Sequence, residues 1–193
     1  MPLARCAAVR RVETRDYSQG REEASRELGT NTDLVQSLVK IGQYSLVPGL
    51  NIEAARLASS LIRYSHDGGV VSVATEAGVL PLLLGLLNSP HSQLLNEALV
   101  AVSLVTAPVP PAPEVVESID ADFLAGKVVE ILAMEESKCP KEVKFNAVSL
   151  VYNILKWNIA SVSQVFKDSD LKGKLDAFEN ELKFINDMRT LLI

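Results

Sequence analysis

The chain has few of the residues from which active sites and cross-links are built. It contains two histidines, His66 and His91, and two cysteines, Cys6 and Cys139. Neither cysteine has a second Cys or His at a metal-ligand spacing, so we expect reduced thiols rather than a disulfide framework or a zinc site. Gly-x-Ser-x-Gly, phosphate-loop and dinucleotide-binding motifs are missing as well. The sequence therefore predicts no catalytic residues, no metal, no cofactor and no covalent catalysis.

Long hydrophobic runs are also missing, although 48% of the residues are hydrophobic and only 5% are aromatic. The longest candidate, Gly78 to Leu87, is interrupted by glycine and proline and is shorter than the roughly 18 residues of a membrane span. We therefore expect no membrane insertion. The N-terminal segment MPLARCAAVRRVETR lacks the apolar stretch of a secretory signal; a mitochondrial transit peptide is an alternative that acidic Glu13 and Asp16 disfavour.

A repeated layout is the main feature of what is present. A Gly-containing turn, a Leu-rich helix, a polar break and a helix of small residues follow one another, most clearly from Asp67 to Thr106. The last helices of three such units align on Ala55, Ala98 and Ala147, which lie 43 and 49 residues apart, with the surplus at Pro108 to Pro113. A period near 40 with three helices favours armadillo or HEAT repeats, and Gly-Val-Leu-Pro before the Leu run favours armadillo. The fold prediction is all-α: a right-handed superhelical armadillo solenoid of about three to four repeats.

The predicted organisation is an irregular segment at 1–20 and an array at 21–193. Its units are about 21–66, 67–113 and 114–157, with capping helices at 158–193. We expect residues 107–118 to be an extended loop, because they carry four prolines. Helices are predicted at Glu22 to Leu28, Asp33 to Tyr44 with Thr32 as cap, from Asn51, Gly69 to Glu76, Leu80 to Leu87, Ser92 to Thr106, Asp122 to Glu135, Lys141 to Lys156, and from Ser169 onward.

The helix from Ser169 has a regular apolar stripe: Leu171, Leu175, Phe178, Leu182, Ile185 and Met188. Its polar face mixes lysines with aspartates and glutamates, whereas a membrane-surface helix favours a basic face. A helix that closes the array is therefore preferred over a membrane or partner helix.

Candidate partner-binding residues lie on the third helix of each unit, because third helices line the concave groove of such a stack. Val143, Ala147, Val148, Val151, Ile154 and Leu155 are predicted to face the core, as are Ala54, Leu57, Ala58, Leu61 and Ile62 in the first unit. The opposite faces carry the candidates: Arg56, Ser60, Arg63, Gln93, Asn96, Val100, Ser103, Glu142, Asn146, Ser149, Asn153 and Lys156. Side-chain amides suit a partner's backbone, since each offers donors and an acceptor. For Asn146 and Asn153, a helix-capping or inter-repeat hydrogen bond is an equal alternative.

The charge pattern bears on the class of partner. The formal net charge is −5 and the isoelectric point is about 5.1. This excess of acid disfavours nucleic acid and favours a basic protein surface or tail.

Five stretches carry a family resemblance: EEASRELGTNTDLVQSLV, LASSLIRYSHDGGVV, AGVLPLLLGLL, NEALVAVSLVTA and VVEILAMEESKCPKEVKFNAVSLVYNIL. They resemble the C-terminal armadillo repeats of the small-G-protein GDP dissociation stimulators. The resemblance covers about Glu22 to Leu155, and its most specific parts are Asn96 to Ala101 and Leu61 to Ser65. The first 20 residues match nothing in that family, whose members carry many more repeats.

The resemblance implies a monomeric cytoplasmic protein, with the nucleus as a second compartment, that binds Rho, Rap and Ras-type GTPases with basic C-terminal tails. It also implies a chaperone role for these GTPases and guanine nucleotide exchange by promotion of GDP release. Exchange needs no catalytic base, because a partner that prefers the nucleotide-free GTPase must weaken GDP binding by the same factor. Two alternatives stay open: an armadillo adaptor that binds another protein through its groove without exchange activity, and an array too short to act alone.

Overall fold

The computed structural model describes residues 19–44 and 49–177. These residues form eleven helices joined by short turns, and this part of the chain contains no β-strand. The first helix, α1, covers residues 19–29. The others are α2 (Thr32–Tyr44), α3 (Leu50–Ser65), α4 (Gly68–Glu76), α5 (Val79–Leu86), α6 (Ser92–Val105), α7 (Pro113–Ser118), α8 (Ala121–Ala133), α9 (Lys141–Leu155), α10 (Ala160–Asp168) and α11 (Leu171–Ala177).

The helices follow one another in a three-helix pattern, which confirms the all-α armadillo solenoid. The second set of three helices, α4 to α6, shows why the sequence folds in this way. The carboxylate of Asp67 accepts a hydrogen bond from the Gly69 N–H and caps α4. At the end of α4, Gly78 adopts a φ of 76°, which other residues rarely adopt, and α5 leaves at 93° to α4. The Leu-rich α5 then packs against α6 in the core.

One apolar core runs through the described array. The aligned residues Ala55, Ala98 and Ala147 are buried in α3, α6 and α9, and α6 packs between the other two helices. Small side chains at these positions let the third helices approach closely. The predicted core face of α9 is confirmed, since all six of its residues are buried. In α3 the prediction is wrong for Leu57, which is 44% exposed.

The N-terminal helix boundaries differ from the prediction. Residues 19 and 20 are helical, although 1–20 were expected to be irregular, and residues 1–18 lie outside the described part. Thr32 is not the cap of α2 but its first residue. The cap is Asn31, whose side-chain oxygen accepts a hydrogen bond from the Leu34 N–H at 3.0 Å. Asn and Thr both suit a helix cap, so the sequence alone did not fix the register.

The prediction of an extended segment through Ser118 is wrong for its second half, which forms α7. Pro113 occupies the first turn of this helix, where its missing N–H costs no hydrogen bond. Val115 is buried, and α7 packs against α4 and α5. The Pro-rich insertion therefore covers only the residues between α6 and α7, and α7 is the first helix of the third set.

The helix α8 ends at Ala133, two residues earlier than predicted. A buried lysine binds carbonyl groups at its C-terminal end. The Lys144 ammonium donates hydrogen bonds to the carbonyl oxygens of Leu132, at 3.1 Å, and Met134. Lys144 is only 7% exposed. These bonds satisfy two of the carbonyl groups that every helix leaves unpaired at its C-terminus.

The C-terminal helices begin a fourth set. The helix α10 was not predicted individually; it packs against α8 and α9 and buries Phe166 completely. In α11, Leu171 and Leu175 of the predicted apolar stripe are fully buried, and the helix packs against α8. The rest of that stripe, from Phe178 onward, lies outside the described residues.

Candidate partner-binding groove

The third helices α3, α6 and α9 form the wall of the candidate groove. Asn146 Nδ2 of α9 donates a hydrogen bond to Asn96 Oδ1 of α6 at 2.6 Å, and Asn153 Nδ2 donates to the Ser103 carbonyl oxygen at 3.0 Å. The donors Asn146 and Asn153 are seven residues apart in α9. The acceptors Asn96 and Ser103 are also seven residues apart in α6, in the same order along the chain. The helices α6 and α9 therefore run parallel and in register.

A third bond continues this row at the C-terminal end. The Trp157 indole N–H donates to the Thr106 carbonyl oxygen at 3.0 Å, in a buried position. Asn153 and Trp157, one turn apart, thus satisfy two carbonyl groups at the C-terminus of α6. Asn146 and Asn153 thus make inter-repeat hydrogen bonds, and their contact with a partner stays a prediction. Trp157 was not among the predicted site residues, because nothing in its sequence spacing indicates its partner.

The contact between α3 and α6 is polar at its centre. Ser59 Oγ donates a hydrogen bond to the Glu97 carbonyl oxygen at 2.9 Å. Arg56 lies between two carboxylates, with a guanidinium nitrogen 3.2 Å from Glu53 and its Nε 3.7 Å from Glu97. The Nε of Arg56 is buried and has no hydrogen-bond acceptor among residues 19–44 and 49–177. Glu97 was missed by sequence reasoning, which placed Asn96 on this face.

The remaining predicted site residues differ in exposure. Ser60, Arg63, Val100 and Ser149 are partly buried, whereas Gln93, Glu142 and Lys156 are exposed. Arg63 lies 5.3 Å from the ring centre of Tyr64, and Lys156 lies 5.5 Å from that of Tyr152. Ser103 contributes its backbone carbonyl oxygen. Its hydroxyl oxygen is buried and has no hydrogen-bond partner in the part of the chain that the structure describes. The predicted residues therefore lie along one row of helices, and about a third of them hold that row together.

An open cavity lies at the start of α6. It has a volume of about 450 Å³ and is lined by Arg56 of α3, Gln93 of α6 and Lys138 from the loop before α9, among others. Its lining is mostly polar. Leu57 and Leu104, by contrast, expose apolar surface on the same helices, 44% and 39% of each residue. The groove thus combines polar and apolar surface.

The described residues carry little chemistry of the catalytic kind. Burial raises the pKa of the Cys139 thiol, and the nearby Lys144 ammonium opposes this rise. A thiol with a raised pKa is a poor nucleophile at neutral pH. Within residues 19–44 and 49–177, no group of three His, Cys, Asp or Glu side chains could hold a metal ion.

In the same residues no single helix is long and apolar enough to cross a membrane. There, only the pair α4 and α5 reaches the necessary length and composition, and this pair is bent by 93°.

Known proteins resemble this chain in sequence. No protein-family model matches it. Rap1 GTPase-GDP dissociation stimulator 1-B from Xenopus laevis is 30% identical over 162 residues, which is 82% of this chain and 26% of the relative. The chain is thus similar to a Rap1 GTPase-GDP dissociation stimulator. The 1-A form from the same organism is 30% identical over 132 residues, 67% of this chain and 21% of the relative. The chain spans about a quarter of the length of these two relatives.

Solved structures are similar in fold. The crystal structure of an engineered protein aligns with a TM-score of 0.50 at 18% identity, over 91% of this chain and 89% of the other. A designed armadillo repeat protein aligns with a TM-score of 0.47 at 14% identity, over 89% and 91% of the two chains. The first likeness bears on the fold alone. The similarity in sequence is to the GDP dissociation stimulators.

Proposed function

We propose that this chain binds small GTPases of Rho, Rap or Ras type with basic C-terminal tails, promotes GDP release from them and chaperones them. One observation carries the proposal: most of the chain aligns at 30% identity with proteins named for GDP dissociation stimulation on Rap1. Release follows from linkage, because a protein that binds the empty GTPase more tightly than the GDP form weakens GDP binding by the same factor. No covalent step is required, so the protein acts as an exchange factor without being a covalent catalyst.

The charge distribution supports a basic ligand. Residues 64–126 contain no Lys or Arg. The same stretch contains seven carboxylates, Asp67, Glu76, Glu97, Glu114, Glu117, Asp120 and Asp122. Most of them are exposed, and four lie on α7 and around the start of α8. We name the residues Glu114, Glu117, Asp120 and Asp122 the acidic band. A surface of one sign attracts a polybasic tail and accelerates its association.

In this proposal the groove and the acidic band have separate tasks. The groove side chains on α3, α6 and α9 contact the folded GTPase, and the acidic band holds its tail. The working location is the cytoplasm, with the nucleus as a second compartment. Because the third helices are joined by the Asn146 and Asn153 bonds, they present a preformed surface, and a partner that binds it loses less entropy on association.

A matched pair of charge reversals tests the role of the acidic band. Affinity for a prenyl-free Rho-family GTPase is measured at low and at high salt, with its tail intact and with the tail deleted. The double variant Glu114→Lys/Glu117→Lys should lose most of the tail-dependent affinity. The variant Glu23→Lys/Glu27→Lys makes the same charge change on the exposed face of α1 and should bind as wild type.

Two results would contradict the proposal. Binding that is unchanged by salt, by tail deletion and by the first double variant would remove the acidic band from the contact. Failure to bind any small GTPase would leave the alternative, an armadillo adaptor whose groove binds another protein without exchange activity. That alternative is favoured by the exposed apolar side chains Leu57 and Leu104, which are suited to many protein partners.

A further inference from the structure

Three side-chain hydrogen bonds between α6 and α9, and the residues that directly follow them, depend on one alignment of the two helices. Their donor–acceptor distances are 2.6, 3.0 and 3.0 Å. The bonded residues are 50, 50 and 51 positions apart in the sequence, so the same register satisfies all three bonds. We name these bonded pairs the polar row: Asn96 with Asn146, Ser103 with Asn153, and Thr106 with Trp157.

The apolar residues of the same two helices recur at almost every turn. Those that are buried in α6 are Leu95, Ala98, Leu99, Ala101, Val102 and Val105, and those in α9 include Val143, Ala147, Val148, Leu150, Val151, Ile154 and Leu155. A shift of α9 by one turn, about 5.4 Å, therefore brings one aliphatic side chain to the place of another. Shifts of this size between packed elements are a known kind of conformational change. Apolar burial alone thus distinguishes poorly between the observed register and its neighbours.

The polar row, by contrast, loses its pairs in a shifted register. After a shift of about four residues in one direction, Asn146 lies opposite Val100, and after the opposite shift Asn153 lies opposite Leu99. Leu99 is fully buried and Val100 is partly buried, and neither side chain can accept a hydrogen bond. An amide that is withdrawn from water without a partner costs free energy. The polar groups therefore favour the observed register over its neighbours, as one buried asparagine does in some coiled coils.

The register also determines the shape of the candidate groove. Gln93 and Val100 are candidate partner-binding residues on α6, and Glu142 and Ser149 are candidates on α9. A one-turn shift would move the α9 candidates by about 5.4 Å relative to those on α6. A partner surface that fits one of these arrangements does not fit the other.

We propose that Asn96, Asn146 and Asn153 are positioning residues that select one register of α6 and α9, and that this selection is their main contribution to the array. The proposal goes beyond the proposed function, because it holds for any partner of the groove. It also leaves each amide able to contact a partner through its second N–H.

Two variants of the full chain test the proposal. Asn96→Leu/Asn146→Leu removes both partners of one bond, so that neither amide is left unsatisfied. A second variant adds Asn153→Leu to these two substitutions. Ser149→Leu is the matched control on α9, since it adds a leucine where the hydroxyl makes no hydrogen bond within the described residues. Asn96→Asp is the conservative control, because its carboxylate oxygen can still accept the Asn146 N–H.

The register is measured as a distance between two spin labels by double electron–electron resonance. Cys6→Ser/Cys139→Ala removes the native thiols, and Gln93→Cys and Lys156→Cys place the labels at exposed positions of α6 and just after α9. These positions are about 20 Å apart along the helix axes, so a one-turn shift changes the label distance by about 5 Å. We expect one distance in the background chain and in both controls. We expect a second maximum, displaced by about 5 Å, in the leucine variants, larger when Asn153 is also replaced.

Stability is measured on the same proteins, because it separates selection of a register from simple stabilisation. We expect the midpoint of urea unfolding of Asn96→Leu/Asn146→Leu to equal or exceed that of the background chain, although its register is no longer single. A purely stabilising role would give the opposite pair of results, a lower midpoint with one unchanged distance.

The distance measurement decides the outcome. The background distance, without broadening, in both leucine variants would overturn the proposal whatever their stability. If a leucine variant does not fold, as judged by circular dichroism, alanine at the same positions adds no volume and is measured by the same criterion. The GTPase takes no part in this test, so failure of the proposed function leaves its result unchanged.

Discussion

The side-chain amide of Asn153 donates a hydrogen bond to the backbone carbonyl oxygen of Ser103, 3.0 Å away on the preceding third helix. Seven residues earlier, Asn146 makes the corresponding contact with the side chain of Asn96. The two bonds hold α9 against α6 and set the spacing of the groove wall. Each amide has a second N–H and an oxygen with two lone pairs, so these bonds do not exclude a contact with a partner.

The first prediction concerns the stability of this junction. Asn153→Ala should lower the free energy of unfolding by about 1 kcal/mol, because it removes a partly buried hydrogen bond and leaves the Ser103 carbonyl without this donor. The measurement is equilibrium unfolding in urea. Ser149→Ala is the control on the same helix, since its partly buried hydroxyl makes no hydrogen bond within the described residues, and we expect less than about 0.5 kcal/mol. Equal effects of the two substitutions would show that the amide bond contributes nothing.

A second prediction concerns the buried lysine at the end of α8. Lys144→Met keeps the aliphatic stem but removes the donor to Leu132 and Met134, so we expect a loss of about 1–3 kcal/mol in the free energy of unfolding. Lys141→Met is the control, because Lys141 is exposed and its pairing with Glu136 contributes about 0–1 kcal/mol at most. If Lys144→Met and the wild type had the same free energy of unfolding, the hydrogen bonds of the ammonium to Leu132 and Met134 would contribute nothing to stability.

The close approach of α1 and α4 gives a third prediction. A Cβ at Gly29 would lie 2.6 Å from a methyl carbon of Val70, which is buried and stiff. Gly29→Ala should therefore destabilise the protein by about 1–3 kcal/mol. Gly126 lies inside α8, and among the described residues no atom beyond its own helix backbone and its chain neighbours lies within 4 Å of an added Cβ. Gly126→Ala should therefore stabilise the protein by about 0.5–1 kcal/mol. The sign difference between the two glycines is the result to look for in thermal or urea unfolding; a gain for Gly29→Ala would show that α1 does not pack as described.

The Cys139 thiol gives a prediction on pH. Burial raises its pKa above the ordinary value of 9.0, so the folded protein retains the thiol proton at pH values where the unfolded chain has lost it. Retention of this proton therefore contributes fully to the free energy of unfolding below about pH 9. The contribution is lost as the pH rises through the raised pKa of the folded state. We expect the difference in unfolding free energy between the wild type and Cys139→Ala to shrink above pH 9. A difference that stays constant from pH 7 to about pH 10.5 would contradict this account.

Thiol labelling provides an independent measurement of the same group. In a Cys6→Ser background, Cys139 should react with a disulfide reagent far more slowly in the native protein than in urea, because it is fully buried. Equal rates in both conditions would place the thiol at the surface.

Periodicity was sufficient to predict the third helices and the core of the array. Ala98 and Ala147 are fully buried and Ala55 nearly so, because a regular apolar pattern and small residues leave one way to stack such helices. Helix ends were less well predicted. Asn31 rather than Thr32 caps α2. The short helix α7 was not predicted, because Pro113 is as compatible with a first helical turn as with an extended loop.

The groove was predicted less well than the fold, for a physical reason. A helical pattern shows which side of a helix faces away from the core, but the partners of a side chain depend on the neighbouring helix. The hydrogen-bond partners of three such residues are distant in sequence. Glu97 bonds to Ser59, 38 positions away, Trp157 to Thr106, 51 positions away, and Lys144 to Leu132, 12 positions away. Leu57 was expected inside because it is one of the apolar or small residues of α3. Its exposure follows from its place about 200° from Ala55.

The central claim is that this chain regulates a small GTPase by preferring its nucleotide-free form. The most direct test is the affinity of the monomeric, demonstrably helical chain for a basic-tailed Rho-family or Rap GTPase, measured once with GDP bound and once without nucleotide. The account predicts tighter binding to the empty form, with GDP release accelerated in proportion, since each tenfold preference corresponds to about 1.4 kcal/mol of coupling. Equal affinity for both forms, or binding to neither, would contradict it.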